Sequence, residues 1–408
     1  GTGLGGLEFG LNEQLMGQDG KLTVERVNGR EIPASERQSI DPVNGLSVRL
    51  TIDSNLQAML EKSLGDQVVA TGAEGGVAVI MEPGTGNILA MATYPTFDPN
   101  NPFATDDKSK RNTAVTDVFE PGSTSKVMTM ASVIEEGGAN PGTQYTIENR
   151  ISRGGTSFKD YVDHPTLRLT LAGVLAKSSN IGTILASESI GEKKLYEYLQ
   201  KFGIGQSTGM NFPGESGGKL PDINNENEWS ATTFPTLAFG QGLSVNAVQA
   251  TSVFATIAND GVRMLPRLIA GYSNNEGVYE PTTVNEGVRV VSPETAKTVR
   301  EMLEGVVSED GTAKNMQIPG YRVGGKTGTA NRYDEATGGY SGYTSSFIGM
   351  APAEKPALVM SVSIHNPKTS TYGSVVAGPV FKKVMTYALA HKKVPPSTTK
   401  PPKLPVEW

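Results

Sequence analysis

Two apolar runs of strand length, Gly76–Met81 and Ile88–Thr93, flank the turn sequence Pro83-Gly84-Thr85-Gly86. Turn chemistry of that kind between two such runs folds the chain back on itself, so a β-hairpin is predicted here. Just upstream, Ser47–Ile52 alternates like a strand, and Asp53 is placed to N-cap a helix running through Leu64. After a polar loop at residues 95–110, Pro121-Gly122-Ser123 opens an apolar segment that reaches Ile134 and stops at Gly137-Gly138. Those start and stop signals predict a helix with Ser123 at its N-terminus. Further helical patterns cover Thr170–Ser178, Ile181–Ser189, Lys193–Phe202, Ala247–Ala258 and Pro293–Val307. Ala357–His365 reads as a returning strand, and Val380–Ala390 as a last helix. Strands, a long helical middle, strands again and a closing helix predict an α+β fold with helices packed on an antiparallel sheet.

At 408 residues the chain exceeds the size at which one core keeps growing, so one large domain with smaller appendages is expected. Residues 1–48 are glycine-rich and polar with no sustained helical period, and read as a strand-and-loop appendage. The main domain spans residues 49–391. The tail, residues 392–408, carries Pro395, Pro396, Pro401, Pro402 and Pro405 and is expected to be extended and mobile. A net charge of −6 without a long basic run argues against nucleic-acid binding. The absence of cysteine excludes disulfides, thiolate metal sites and a cysteine nucleophile. The longest apolar stretches, such as Val77–Met81 and Ala357–Ile364, fall far short of the roughly 20 residues of a membrane span. The sequence starts at Gly1-Thr2-Gly3 with no initiator methionine or signal peptide, so localisation has to follow from function.

Three short motifs carry chemistry. Ser123-Thr124-Ser125-Lys126 opens a helix, where positions three apart share a face. The spacing predicts the Ser123 hydroxyl and the Lys126 amine within hydrogen-bond reach. An amine kept neutral by burial or nearby cations can take the hydroxyl proton, and the helix N-terminus favours developing negative charge. Ser178-Ser179-Asn180 ends a helical pattern, and from a turn it can offer a hydroxyl and a carboxamide to one cleft. Gly324-Gly325-Lys326-Thr327-Gly328-Thr329 has glycines that let a strand approach a ligand, with a cation and two hydroxyls beside them. It lacks the G-x-x-x-x-G lead of a phosphate loop. Singly, each motif is common in proteins that use it only for capping or turning.

In this order the three resemble the signature of the penicillin-binding proteins and serine β-lactamases, S-x-x-K, S-D-N and K-T-G. Arg111-Asn112, Phe119-Glu120-Pro121-Gly122-Ser123, Leu237–Val245, Ala255–Gly261 and Gly5-Gly6-Leu7-Glu8 look like the class B monofunctional transpeptidases, particularly the division-type branch. The resemblance runs from residue 3 to about 390. It departs from the class in its short N-terminal part, here read as the remnant of a pedestal domain, and in Ser-Ser-Asn as the middle motif, a form the class accepts.

The resemblance implies a penicillin-binding protein/serine β-lactamase-like transpeptidase fold and a D,D-transpeptidase that cross-links peptidoglycan through an acyl-enzyme on Ser123. It implies Lys126 as base, Ser178 as proton shuttle and Asn180 as a holder of the substrate amide and Lys126. The backbone N–H groups of Ser123 and Thr329 would form the oxyanion hole. Lys326, Thr327, Gly328 and Thr329 would bind the terminal carboxylate. The implied partners are D-Ala-D-Ala stem peptides, an amine acceptor, β-lactams and divisome or glycosyltransferase proteins. Neither metal nor organic cofactor is implied. The implied location is the outer side of the cell membrane, with an anchor upstream of Gly1. The rival readings are a carboxypeptidase or β-lactamase of the same fold, and a non-catalytic β-lactam sensor or scaffold. A class A hydrolase uses a glutamate to activate the deacylating water; Glu215 lies at about the right place but is expected to serve a turn. Among the three histidines, His164, His365 and His391, His164 is the one expected to line the cleft.

Overall fold

The computed structural model describes residues 2–32, 37–334 and 339–408. Asp53 does cap a helix, α1 (Ser54–Thr71), by accepting from the amides of Asn55 and Leu56. The helix passes through Gly65 and runs beyond the expected Leu64. Leu56, Leu60, Leu64 and Val68 recur every fourth residue and are buried, so packing outweighs the roughly 1 kcal/mol helix penalty of a glycine. An added Cβ at Gly65 would come within 3.2 Å of the Tyr94 ring.

The expected hairpin follows as β1 (Gly75–Met81) and β2 (Ile88–Tyr94), paired antiparallel. Next come α2 (Lys126–Glu135), α3 (Leu171–Lys177), α4 (Asn180–Glu188), α5 (Ala247–Ala258) and α6 (Pro293–Val307). The chain then returns as β3 (Gly324–Asp334), β4 (Gly339–Ala351) and β5 (Leu358–His365), and closes with α7 (Gly378–His391). The five strands form one sheet in the order β3-β4-β5-β1-β2, antiparallel throughout. Helices α1 and α7 pack together against this sheet, while α5 and α6 form a second pair against it, with α6 beside β3. Every residue of α5 is buried, as expected for a helix that is apolar nearly all round.

Three features differ from the sequence reading. Strand β4 has little signal in the sequence, because Gly339–Ala351 is rich in glycine, serine, threonine and tyrosine without a clean period of two. Its backbone is satisfied on both sides by β3 and β5. Residues 2–48 include two short helices, Gly6–Gly10 and Asn12–Leu15, beside small strand pairs. The tail is extended but fastened: the Thr170 amide donates to Val406 O at 3.0 Å, and Arg322 Nη1 to Thr399 Oγ1 at 2.8 Å. Prolines lack an N–H yet keep a carbonyl, and Pro405 O accepts from Thr170 Oγ1 at 2.5 Å. Among the described residues, no helix is long and apolar enough to cross a membrane.

Candidate active site

Ser123 sits in a 3-10 turn, Gly122–Ser125, that runs directly into α2. The turn starts at Gly122 with φ of 53°, a left-handed conformation that glycine adopts without the steric cost of a side chain. Ser123 lines a cleft of about 440 Å³, and its amide lies in a first helical turn, where no intrahelical acceptor is available. Its two neighbours point elsewhere. Thr124 Oγ1 donates to Pro121 O, and Ser125 Oγ is buried without a partner.

Lys126, the first residue of α2, is fully buried. Its Nζ lies 2.5 Å from Ser178 O, 2.8 Å from Asn180 Oδ1 and 3.3 Å from Ser178 Oγ. The Ser123 hydroxyl, expected within its reach, is not among these partners. The carbonyl and carboxamide oxygens of the middle motif hold the amine instead.

That motif is the junction between α3 and α4. Ser178 caps α3 in the left-handed region at φ 63°, a conformation that costs a residue with a Cβ about 1–2 kcal/mol. The strained turn presents its hydroxyl to two lysine amines. Ser179 is the N-cap of α4, accepting from the Gly182 amide, and Asn180 opens the helix while its Nδ2 donates to Lys159 O at 3.1 Å.

The third motif lies on β3. Lys326 Nζ donates to Ser178 Oγ at 2.8 Å and to Thr327 O at 3.1 Å. Thr327, Thr329 and Asn331 line the cleft at the period of two that a strand imposes. Thr327 Oγ1 is 3.1 Å from Thr312 Oγ1, whereas Thr329 Oγ1 donates to Thr371 O at 3.0 Å and is therefore already engaged. A Cβ at Gly328 would stand 2.4 Å from Ser346 Oγ, 3.0 Å from Thr124 Cγ2 and 3.1 Å from Pro121 O. Glycine at this position lets the Ser123 turn lie directly on the strand.

Burial pushes the Lys126 amine down to about 7, and the negative charge of Asp160 opposes part of that shift. Lys326 is held well below the usual lysine range, chiefly by burial and then by the charge of Lys126. His164 lines the cleft as expected. His365 is pushed down to about 3 by burial and by Arg332, and lies in a separate pocket, while His391 Nε2 is 2.9 Å from Asp53 Oδ2. Glu215 does not line the cleft. Its carboxylate accepts from the Thr208 amide at 2.7 Å and from Ser207 Oγ at 3.0 Å, which are turn contacts. Sequence reasoning missed Asp160, Tyr161 and Tyr372, which line the cleft from loops without a motif or a period, whereas Gln241, also in the lining, falls inside the Leu237–Val245 segment.

Residues 76–386 match the penicillin binding protein transpeptidase domain family, and the chain belongs to that family. It is 38% identical to penicillin-binding protein PbpB of Mycolicibacterium smegmatis across all of this chain and 64% of the relative. The corresponding Mycobacterium tuberculosis protein is 37% identical, over 99% of this chain and 61% of its own length. The chain thus spans less than two thirds of these two relatives. It is also 34% identical to the probable peptidoglycan D,D-transpeptidase PenA of Neisseria flavescens, over 98% of this chain and 96% of that one. Among solved structures, penicillin binding protein 3 of M. tuberculosis in complex with ampicillin superposes with a TM-score of 0.90 at 34% identity. That match covers 100% of this chain and 88% of the other.

Proposed function

We propose that this chain is the catalytic part of a class B peptidoglycan D,D-transpeptidase that works through a Ser123 acyl-enzyme and is acylated by β-lactams. The observation that carries this reading is the meeting of two buried lysines on one hydroxyl. Lys126 and Lys326 both hydrogen-bond Ser178 Oγ, beside a cleft that Ser123 lines. A lysine near 7 is largely neutral just above that pH and can act as a base.

In the proposed reaction, Ser123 Oγ attacks the penultimate D-Ala carbonyl and its proton passes to Lys126. The tetrahedral oxyanion is held by the amides of Ser123 and Thr329. Collapse breaks the peptide bond, and the departing D-alanine nitrogen takes the proton back through Ser178. An acceptor amine then attacks the ester and gives its proton to Lys126, which returns it to the departing Ser123 oxygen as the ester C–O bond breaks and the new amide forms. Lys326 and the Thr327 hydroxyl bind the terminal carboxylate, whose charge favours the ammonium form of Lys326. Thr329 contributes its backbone, since its hydroxyl is engaged by Thr371. Asn180 holds Lys126 through Oδ1.

Hydrolysis of the ester would need a base-activated water in addition. Glu215, spent on Thr208 and Ser207, does not supply one. Lack of a positioned base slows a step by about 10²–10⁴, so penicillin should give a stoichiometric adduct that persists for many minutes. Glu215→Gln should leave its decay nearly unchanged. Intact-protein mass over time checks this, and several turnovers of penicillin each second would move the protein to the hydrolase branch.

The same reading assigns residues 1–48 to the remnant of a pedestal, 49–391 to the transpeptidase domain and 392–408 to a C-terminal strap. It places the enzyme on the outer face of the cytoplasmic membrane, tethered by a segment upstream of Gly1, with divisome or glycosyltransferase partners that in-cell cross-linking would capture. Sequencing the gene upstream should reveal an apolar span or a signal peptide, and finding neither would overturn the placement.

A further inference from the structure

Asp160 is the only carboxylate among the described residues lining the cleft. It is nearly buried, and each of its oxygens is committed. Oδ1 accepts from the Asn180 amide at 2.5 Å and the Ile181 amide at 2.9 Å, while Oδ2 is 3.1 Å from His164 Nε2. The other ring nitrogen, Nδ1, lies 2.6 Å from Pro165 O, and the His164 amide donates to Asn149 Oδ1 at 3.1 Å. A loop carboxylate pinned by a histidine therefore binds the first two amides of α4. Those amides have no intrahelical acceptor, and bonds from them to a carboxylate are charge-assisted.

The consequence falls on Asn180. Its amide is bonded by Asp160, its Nδ2 by the carbonyl of the preceding Lys159, and its Oδ1 by Lys126. One short loop, residues 159–164, thus sets where the Lys126 amine is held. The other charged groups nearby are the buried Lys126 and Lys326, and the exposed Lys159, Asp163 and Lys177. Lys159 is 3.7 Å from Asp163.

Resting on the transpeptidase reading, we propose that Asp160, clamped by His164, is a positioning residue that fixes the Ser178–Asn180 junction and supplies the counter-charge for the buried Lys126. It touches neither the nucleophile nor the carboxylate site. The charge of Asp160 favours the ammonium form of Lys126, in line with its opposition to the burial shift.

Asp160→Asn keeps the shape and an acceptor oxygen but removes the charge. Acylation by fluorescent penicillin, followed against pH, should then show its rising limb moved to lower pH, because a lysine without its counter-charge loses its proton more readily. The plateau should fall about tenfold, as expected for a weaker and less firmly held base. His164→Ala should lower the plateau severalfold, and His164→Gln, which can still donate to Asp160, should restore most of it. A limb and plateau equal to wild type in Asp160→Asn would overturn the proposal. Should that variant fail to fold, the His164 pair decides: equal losses in the alanine and glutamine variants would count against the clamp. Amide hydrogen exchange at Asn180 and Ile181 should speed up in Asp160→Ala without a general rise elsewhere, and unchanged exchange there would also overturn it. Absence of any Ser123 adduct in the wild type would instead sink the transpeptidase reading, with the exchange measurement still deciding the positioning role.

Discussion

Ser123→Ala should take up no penicillin, while the wild type takes up one acyl group per chain at this serine. Other hydroxyls are nearby, but each is committed or turned away. Ser178 Oγ already accepts from Lys126 and Lys326, Thr124 Oγ1 donates to Pro121 O, and Ser125 Oγ faces the protein interior. Among Ser123, Thr124 and Ser125, Ser123 alone lines the cleft. An ester needs an oxygen nucleophile within reach of both a base and oxyanion donors, and the alanine variant retains the base and the donors without the nucleophile. Peptide mapping checks the assignment. An adduct on Ser125 or Ser178 would require a different mechanism.

Lys126→Arg should acylate about 10²–10⁴-fold more slowly than wild type, the usual cost of losing a positioned general base. Arginine keeps a positive charge and can still donate hydrogen bonds to Ser178 and Asn180, so a purely structural role for Lys126 would be largely preserved. What it lacks is a neutral form at accessible pH. The wild-type lysine, pushed down to about 7 by burial, is protonated below that pH and neutral above it. Its acylation rate should therefore climb as pH rises through about 7 and level off beyond. Rates from the arginine variant within tenfold of wild type, or a flat wild-type profile between pH 6 and 8, would refute the role.

Much of the framework is legible in the sequence. Helices α5 and α6 occupy the spans their pattern predicts, and the structure adds the caps, Asn246 with Gln249 for α5 and Ser292 for α6. Both helices are long enough for their period to be unambiguous. Reading failed where local pattern is weak. Strand β4 owes its conformation to its neighbours, and α1 continues through Gly65 because four apolar side chains, one per turn, have a sheet to pack on. The proline-rich tail is expected to be extended and mobile, yet its carbonyls find donors on Thr170 and Tyr321.

For the site, sequence alone determined which groups are present: a serine and a lysine on one helical turn, a Ser-x-Asn junction between helices, and a lysine on a glycine-edged strand. Spacing within each motif is local, and helix and strand periods translate it into direction. Tertiary structure alone decided how those groups meet. It put Lys126 on Ser178 and Asn180 rather than on Ser123, engaged the Thr329 hydroxyl with Thr371, and brought Asp160 and His164 beneath the middle motif. The reason is physical. A buried ammonium, carboxylate or hydroxyl has to find its partners from whatever surrounds it in space; apart from the local Asp160–His164 pair, those partners lie 20 to 54 residues away in the chain, where no local pattern can name them.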